Sequence, residues 1–145
     1  MDDYAVSNSV YAVSHGKFET DAYRKILANE GDRVQLSLEL VKHLCEEYCI
    51  SVPEVIVSKK YRPKPGTIEI RGIVKKIGDR YRITVYNYAT RGAVKAGRQI
   101  PADQFLETLI HEFIHYYDHK VLGLSRSCHT GGFYARTRDL ALKLA

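Results

Sequence analysis

The sequence predicts an α+β fold, in which a short, mostly antiparallel sheet packs with N-terminal helices and with one long helix carrying the motif His-Glu-x-x-His. Two observations support this class. Apolar residues recur at helical spacing over 33–48 and 102–122, whereas they alternate with polar residues over 80–88. A chain of 145 residues can bury one hydrophobic core, so we expect a single domain over 1–145.

The N-terminal third predicts two helices after an irregular start. Residues 1–17 show no clear periodicity, and we expect a loop or a loosely ordered, weakly docked strand there. A short helix is expected over 18–29. Gly31 and Asp32 then interrupt the pattern, and Asp32 is a suitable N-cap for a helix over 33–48.

The middle third is β-forming. A short apolar run over 55–57 is followed by a turn-rich stretch, and β-branched residues over 67–77 predict a second strand. Gly78-Asp79 suits the turn of a hairpin with a strand over 80–88. Residues 91–99 are expected to form a loop.

The long helix over 102–122 has a broad apolar side and a compact polar stripe when its residues are placed 100° apart. The stripe contains Glu107, Thr108, His111, His115 and Asp118. Gly123 is a reasonable terminator, and a final helix is expected over 133–144.

The polar stripe predicts a metal site. His111 and His115 are four residues apart, so on a helix their side chains lie on one face and can converge on one zinc ion. Glu112 lies beside them and can take a proton from a metal-bound water. A catalytic zinc needs a third protein ligand and an open fourth position.

Several residues compete for the third position. His129 is favoured, and Asp118 and His119 are rivals on the helix itself. We expect Asp118 to accept a hydrogen bond from a ligand imidazole instead. Cys128 could compete as a thiolate, but a small buried side chain is the default expectation.

The residues His111-Glu112-x-x-His115 and His129-x-x-x-Phe133 resemble the SprT-like group of zincin metallopeptidases over about residues 100–140. In this chain the glycine that follows the second-motif histidine is displaced by one position, to Gly131. The resemblance implies a zincin-like fold, one Zn²⁺ per chain held by His111, His115 and His129, and Glu112 as the general base that activates a zinc-bound water. It also implies a protein or peptide substrate, including proteins associated with nucleic acid.

Further roles remain open at this stage. Substrate is expected along an edge strand drawn from 80–88, and Phe133 is expected to pack under the His129 loop. Tyr116, Tyr117, Tyr134 and Arg136 are near enough in sequence to stabilise an oxyanion. An alternative is a regulatory peptidase of the ImmA/IrrE kind, which lacks an obvious counterpart of the His129 motif.

Charge suggests another class of function. Residues 59–98 contain twelve Lys or Arg against two acidic residues, within a chain of net charge +5. This basic region predicts either a solvated sheet face or a nucleic-acid contact, and in the second case the zinc would be structural. Three cysteines, no apolar run of membrane-spanning length and no signal-peptide pattern favour a cytoplasmic protein without membrane contact. The sequence leaves the oligomeric state open.

Overall fold

The computed structural model describes residues 2–14, 18, 20–59, 71–88 and 99–145. Within them, five helices and three strands follow in the order α1 (Asp3–Ser9), α2 (Asp21–Leu27), α3 (Arg33–Tyr48), β1 (Glu54–Ser58), β2 (Gly72–Ile77), β3 (Arg80–Tyr86), α4 (Ala102–Lys120) and α5 (Gly131–Leu144). The predicted α+β class is confirmed.

Helix α3 begins and ends where local chemistry allows. The Asp32 carboxylate accepts the N–H of Val34, as expected for an N-cap, and α3 ends where Cys49 adopts a left-handed conformation (φ 55°). Helix α4 ends at Lys120, two residues before the predicted end. Helix α2 is shorter than the predicted 18–29 because Thr20 caps it.

The sheet has the strand order β1-β3-β2, with β1 parallel to β3 and β2 antiparallel to it. The prediction of a mostly antiparallel sheet was therefore wrong for one of the two pairings. The hairpin around Gly78-Asp79 is confirmed, but β3 is central, because β1 pairs with its second edge. The edge strand beside α4 is β2, so the expectation that 80–88 would supply the edge was wrong.

The core lies between the sheet, α3 and α4. Its fully buried side chains include Leu40, Leu44, Ile83, Val85, Phe105, Leu109, Phe113 and Ile114. These residues occupy one side of each helix and one face of β3. Helix α4 is therefore buried along most of its length and is a fixed support for its polar stripe.

The N-terminal segment differs from its prediction. Residues 3–9 form helix α1 and pack against α5, with Ser7 fully buried, so the loop expected over 1–17 was wrong there. A helix of seven residues is too short to show periodicity or to be stable alone. Parts of several predictions lie outside the described residues. These parts are residues 1 and 15–17 of the irregular start, residue 19 of the first helix, the turn-rich stretch and the strand over 60–70, the loop over 91–98, and the basic region at 60–70 and 89–98.

Candidate metal centre

Two helices and the loop between them bring the predicted metal ligands together. Helix α4 presents His111 and His115 one turn apart on its polar stripe. The loop after α4 returns along this face, and His129 lies directly before Thr130, which caps α5 through its hydroxyl. The position of His129 is thus fixed by the start of a helix rather than by a free loop.

The three imidazoles converge through their Nε2 atoms. His129 Nε2 lies 3.2 Å from His111 Nε2 and 3.0 Å from His115 Nε2. The three ligand atoms all lie within 4.8 Å of one another, close enough to bind one metal ion. Two nitrogens on one tetrahedral zinc are about 3.4 Å apart, from Zn–N distances of about 2.0–2.1 Å. The donor set therefore fits a zinc ion with little movement.

The tautomers of the three rings decide how their Nε2 atoms interact. Each neutral ring carries one N–H, so each Nε2 is either a donor or an acceptor. When all three rings carry the proton on Nδ1, three Nε2 lone pairs face one point, and a metal ion there would bind all three.

An aromatic floor supports the three ligands. The buried Phe133 ring lies 4.9, 4.5 and 5.1 Å from the ring centroids of His111, His115 and His129, respectively. This confirms the expected packing role of Phe133. The neighbouring Tyr134 ring is partly exposed and lies 5.8 Å from that of His129.

A hydrogen-bonded chain sets the tautomer of His115. Its Nδ1 lies 2.7 Å from Ser127 Oγ, and the Ser127 hydroxyl donates to Asp118 Oδ2 at 2.7 Å. Burial raises the pKa of the Asp118 carboxyl, and hydrogen bonds from Arg136 and Ser127 oppose that rise. The Arg136 guanidinium lies 2.8 Å from Asp118 Oδ2, and this buried ion pair favours the ionised carboxylate. An ionised Asp118 only accepts, so Ser127 gives its proton to Asp118 and accepts the Nδ1–H of His115. The Nε2 lone pair of His115 therefore points at the metal position.

The hydrogen bonds from His115 through Ser127 to Asp118 correct one expectation and add Ser127 to the candidate site. Asp118 was expected to accept directly from a ligand imidazole, whereas in the structure it acts through Ser127. Sequence reasoning missed Ser127, because its loop conformation has no periodicity from which contacts could be inferred. The only sequence signal is that it lies two residues before His129.

The rival ligands lie elsewhere. His119 Nδ1 is 2.8 Å from the Leu124 carbonyl oxygen, and its ring stacks on Tyr81 at 5.2 Å. Among the residues that the structure describes, only His111, His115 and His129 form a cluster that could hold a metal, so Asp118, His119 and Cys128 are outside it.

Burial sets the protonation of the site. It raises the pKa of Glu112, whose residue is only 6 % exposed, to about 7. Burial, followed by the charge of His111, lowers the pKa of His115 to about 3, and burial followed by His129 lowers that of His111. The neutral form of His111 and His115, which is the form that binds metals, is therefore favoured at physiological pH.

The site opens into a cleft of about 600 Å³ between α4 and the start of β2. Its wall includes Arg71, Gly72 and Thr108 in addition to the three histidines and Glu112. A Cβ atom on Gly72 would lie 2.9 Å from Glu112 Cγ and 2.9 Å from Thr108 Cγ2. Glycine at this position therefore lets the edge strand lie directly over the carboxylate.

Three of the four residues considered for the oxyanion role are engaged elsewhere. The Tyr116 hydroxyl donates to the Ser51 carbonyl, the Tyr117 hydroxyl accepts the N–H of Ser14, and Arg136 is fully buried. Tyr134 is the one that lies beside the cluster with an exposed ring.

No helix in the described part of the chain has both the length and the apolarity needed to cross a bilayer. The likeness to SprT-like metallopeptidases rests on the residues of the two motifs and stays a prediction. Comparison of the chain with models of protein families, with curated proteins and with solved structures found no match.

Proposed function

We propose that this protein is a zinc-dependent metallopeptidase of the SprT-like, zincin kind. The observation that carries the proposal is the convergence of three imidazole Nε2 atoms beside a buried carboxyl group, in a cleft bordered by an edge strand. A structural zinc site is usually closed by four protein ligands, whereas a catalytic site has three. Three histidines with Glu112 beside them favour catalysis.

Zinc is the ion that this donor set suits best. Three neutral imidazole nitrogens at tetrahedral spacing, with no carboxylate among the ligands, match zinc rather than calcium or magnesium, which prefer oxygen. When bound, zinc lowers the pKa of a coordinated water and polarises a carbonyl. His111, His115 and His129 would hold it, one ion per chain.

Glu112 is the proposed general base. A carboxyl group whose pKa is near 7 can both accept and return a proton near neutral pH, the condition for efficient acid–base catalysis. It lies next to His111 in sequence, with its Oε1 3.9 Å from His111 Nε2. The proton it accepts would later pass to the leaving nitrogen of the peptide.

Strand β2 is the proposed substrate platform. It pairs with β3 on one side, and among the described strands none pairs with its other edge. That edge borders the cleft at Gly72, Ile73 and Val74. An extended peptide that adds to it by main-chain hydrogen bonds would place a carbonyl near Glu112.

The described part of the basic region gives a second candidate function. The Tyr81 ring has two cations over it, Lys76 Nζ at 6.0 Å and Lys120 Nζ at 5.3 Å. His119 stacks on this ring, so the two lysines, rather than the ring face, would bind the phosphates of a single-stranded nucleic acid. We propose that this face recruits the peptidase to nucleic-acid-associated substrates. Within the enzyme class, the alternative is an ImmA/IrrE-like regulatory peptidase.

The proposed location is the cytoplasm. Free cysteines at 45, 49 and 128 agree with a reducing environment of that kind.

The deciding experiment measures zinc content and peptide cleavage on the same preparations. Wild type should hold one zinc, His129→Ala should lose it, and His119→Ala, which removes a histidine of α4 outside the cluster, should keep it. Glu112→Gln should keep zinc and lose cleavage of a mixed peptide library read by mass spectrometry.

Two results would contradict the proposal. Wild type without zinc would remove its basis and leave the basic face as the main functional surface. Cleavage that survives in Glu112→Gln would show that the carboxylate is not the base. Recruitment is tested separately, since binding of a labelled single-stranded oligonucleotide should weaken with added salt and with Lys76→Ala.

A further inference from the structure

The N-terminal segment contacts three parts of the support behind the metal centre, namely the loop between α4 and α5, Thr130 and Arg136. Helix α1 begins with Asp3, whose Oδ2 accepts three hydrogen bonds from the loop between α4 and α5: from Ser125 N at 3.0 Å, Ser125 Oγ at 2.7 Å and Arg126 N at 2.9 Å. The next residue of that loop is Ser127, which orients His115, and His129 follows two positions later. One carboxylate therefore fixes the backbone from which both groups project.

The end of α1 contacts the other side of the same support. The Ser7 hydroxyl lies 2.9 Å from the Thr130 hydroxyl, which caps α5 directly after His129. The buried Arg136 guanidinium donates through Nη1 to the carbonyl oxygens of Ser7 and Val10 and through Nη2 to Ser7 Oγ. Its Nε and Nη2 also donate to Asp118.

Arg136 thus uses all five of its N–H groups, three on the N-terminal segment and two on Asp118. Without the N-terminal segment, three donors of a fully buried cation would lose their acceptors. The packing is equally close: a Cβ atom on Gly132 would lie 2.2 Å from the Ser7 carbonyl oxygen. The two segments are therefore matched to each other as a fixed interface.

We infer that residues 3–10 are part of the metal centre, with Asp3 as a positioning residue that holds Ser127 and His129 in their ligand-forming geometry. The inference rests on the proposed zinc site. It goes beyond that proposal, because it assigns a metal-positioning role to a segment more than a hundred residues away in sequence from the motif. No atom of this segment need touch the metal.

The test compares two neighbouring aspartates in the full chain. Asp3→Ala removes all three bonds to the loop. Asp2→Ala removes only the N-cap bond of α1 to the N–H of Ala5 and serves as the matched control. Outer partners bonded to a ligand change metal affinity by about 10–100-fold, so for Asp3, one contact further out, we expect at least about a threefold loss. Ser125→Ala, which removes one of the three bonds, should give a smaller loss.

Two readouts are needed. Zinc affinity is measured by competition with a chelator, and the tautomer of His115 is measured by ¹⁵N NMR on metal-free protein. Asp3→Ala should weaken zinc binding and mix the two tautomers, whereas Asp2→Ala should change neither. A merely structural role would lower the melting temperature in both variants without moving the tautomer.

The inference would be overturned if Asp3→Ala kept the zinc affinity and the His115 tautomer of the wild type. It would also be overturned if Asp2→Ala and Asp3→Ala lost zinc affinity equally. A wild type that binds no zinc would instead refute the proposed function, and the tautomer in metal-free protein would still decide the role of Asp3. Should Asp3→Ala fail to fold, Asp3→Asn serves in its place. Its amide can still accept but is uncharged, so a smaller loss in the same two readouts is expected.

Discussion

Replacing Glu112 by glutamine should stabilise the metal-free protein while abolishing catalysis. Glu112 has a pKa of about 7 in the folded chain because of burial alone, against an ordinary value of 4.5. Between these two pH values the folded state binds a proton that the unfolded state has released. The contribution of Glu112 to wild-type stability therefore falls as pH rises from 4.5 to 7, and the loss is complete above pH 7.

The size of the effect follows from the same two values. A difference of one pKa unit between the folded and unfolded states is worth about 1.4 kcal/mol. Above pH 7, burying the ionised Glu112 carboxylate therefore costs about 3 kcal/mol of folding free energy. Glutamine is nearly isosteric and uncharged, and it avoids this cost. Below pH 4.5 the two proteins should have similar free energies of unfolding.

The histidines change stability in the opposite direction. His115 has a folded pKa of about 3 and an ordinary value of 6.5, so the unfolded state binds more protons between these values and stability falls on acidification. From pH 6.5 down to 4.5 the contributions of Glu112 and His115 oppose each other. The wild-type curve should therefore be shallower there than the curve of Glu112→Gln, which should show the full acid slope of the histidines.

The assay is urea unfolding of chelator-treated protein at pH 4.5, 5.5, 6.5, 7.5 and 8.5, which spans the Glu112 transition and the upper part of the His115 transition. Glu107→Gln is the control, because Glu107 is exposed on the same helix, and its curve should run parallel to wild type. A Glu112→Gln curve that also runs parallel to wild type would refute the reasoning. With zinc bound the gain should shrink, because the cation favours the carboxylate.

Three further changes test separate parts of the site. Ser127→Ala should weaken zinc binding about 10–100-fold in a chelator competition, and unchanged affinity would show that the relay does not orient His115. Gly72→Ala should lower peptide turnover, because the added Cβ would press on Glu112. Gly78→Ala is the control, because its added Cβ meets nothing within 4 Å; it should lower stability and leave turnover unchanged. Arg136→Met leaves Asp118 buried and unpaired and should cost about 3–5 kcal/mol of unfolding free energy; a loss below about 1 kcal/mol in urea unfolding would contradict a buried ion pair there.

The parts of the fold that could be predicted are those with long, regular patterns. Helices α3 and α4 each bury one side over four or more turns, so their periodicity was sufficient. Helix α1 has seven residues and is held by Asp3 and Ser7 through contacts with residues far along the chain, which leave no local pattern. The central place of β3 was equally hidden, because alternation identifies a strand without identifying its neighbours.

In the candidate site, too, the residues on a regular helix could be predicted and those on the loop could not. His111 and His115 are fixed relative to each other by helical geometry, so their convergence followed from spacing. His129 reaches them across a loop, and the motif resemblance, rather than periodicity, predicted it. Ser127 could not be found, since its contact with His115 depends on the loop conformation that Asp3 and Thr130 impose.

The buried Asp118–Arg136 pair is better explained by the metal centre than by stability. A buried ion pair contributes little net stability compared with apolar residues of similar size. An apolar pair here would leave the Ser127 hydroxyl free to donate to His115, and the Nδ1–H tautomer would no longer be enforced. An ionised Asp118 allows only one direction of hydrogen bonding, and Arg136 keeps it ionised while also binding the N-terminal segment. The charge pair therefore gives His115 the tautomer that a metal requires, and its desolvation cost is offset by the five hydrogen bonds of the guanidinium group.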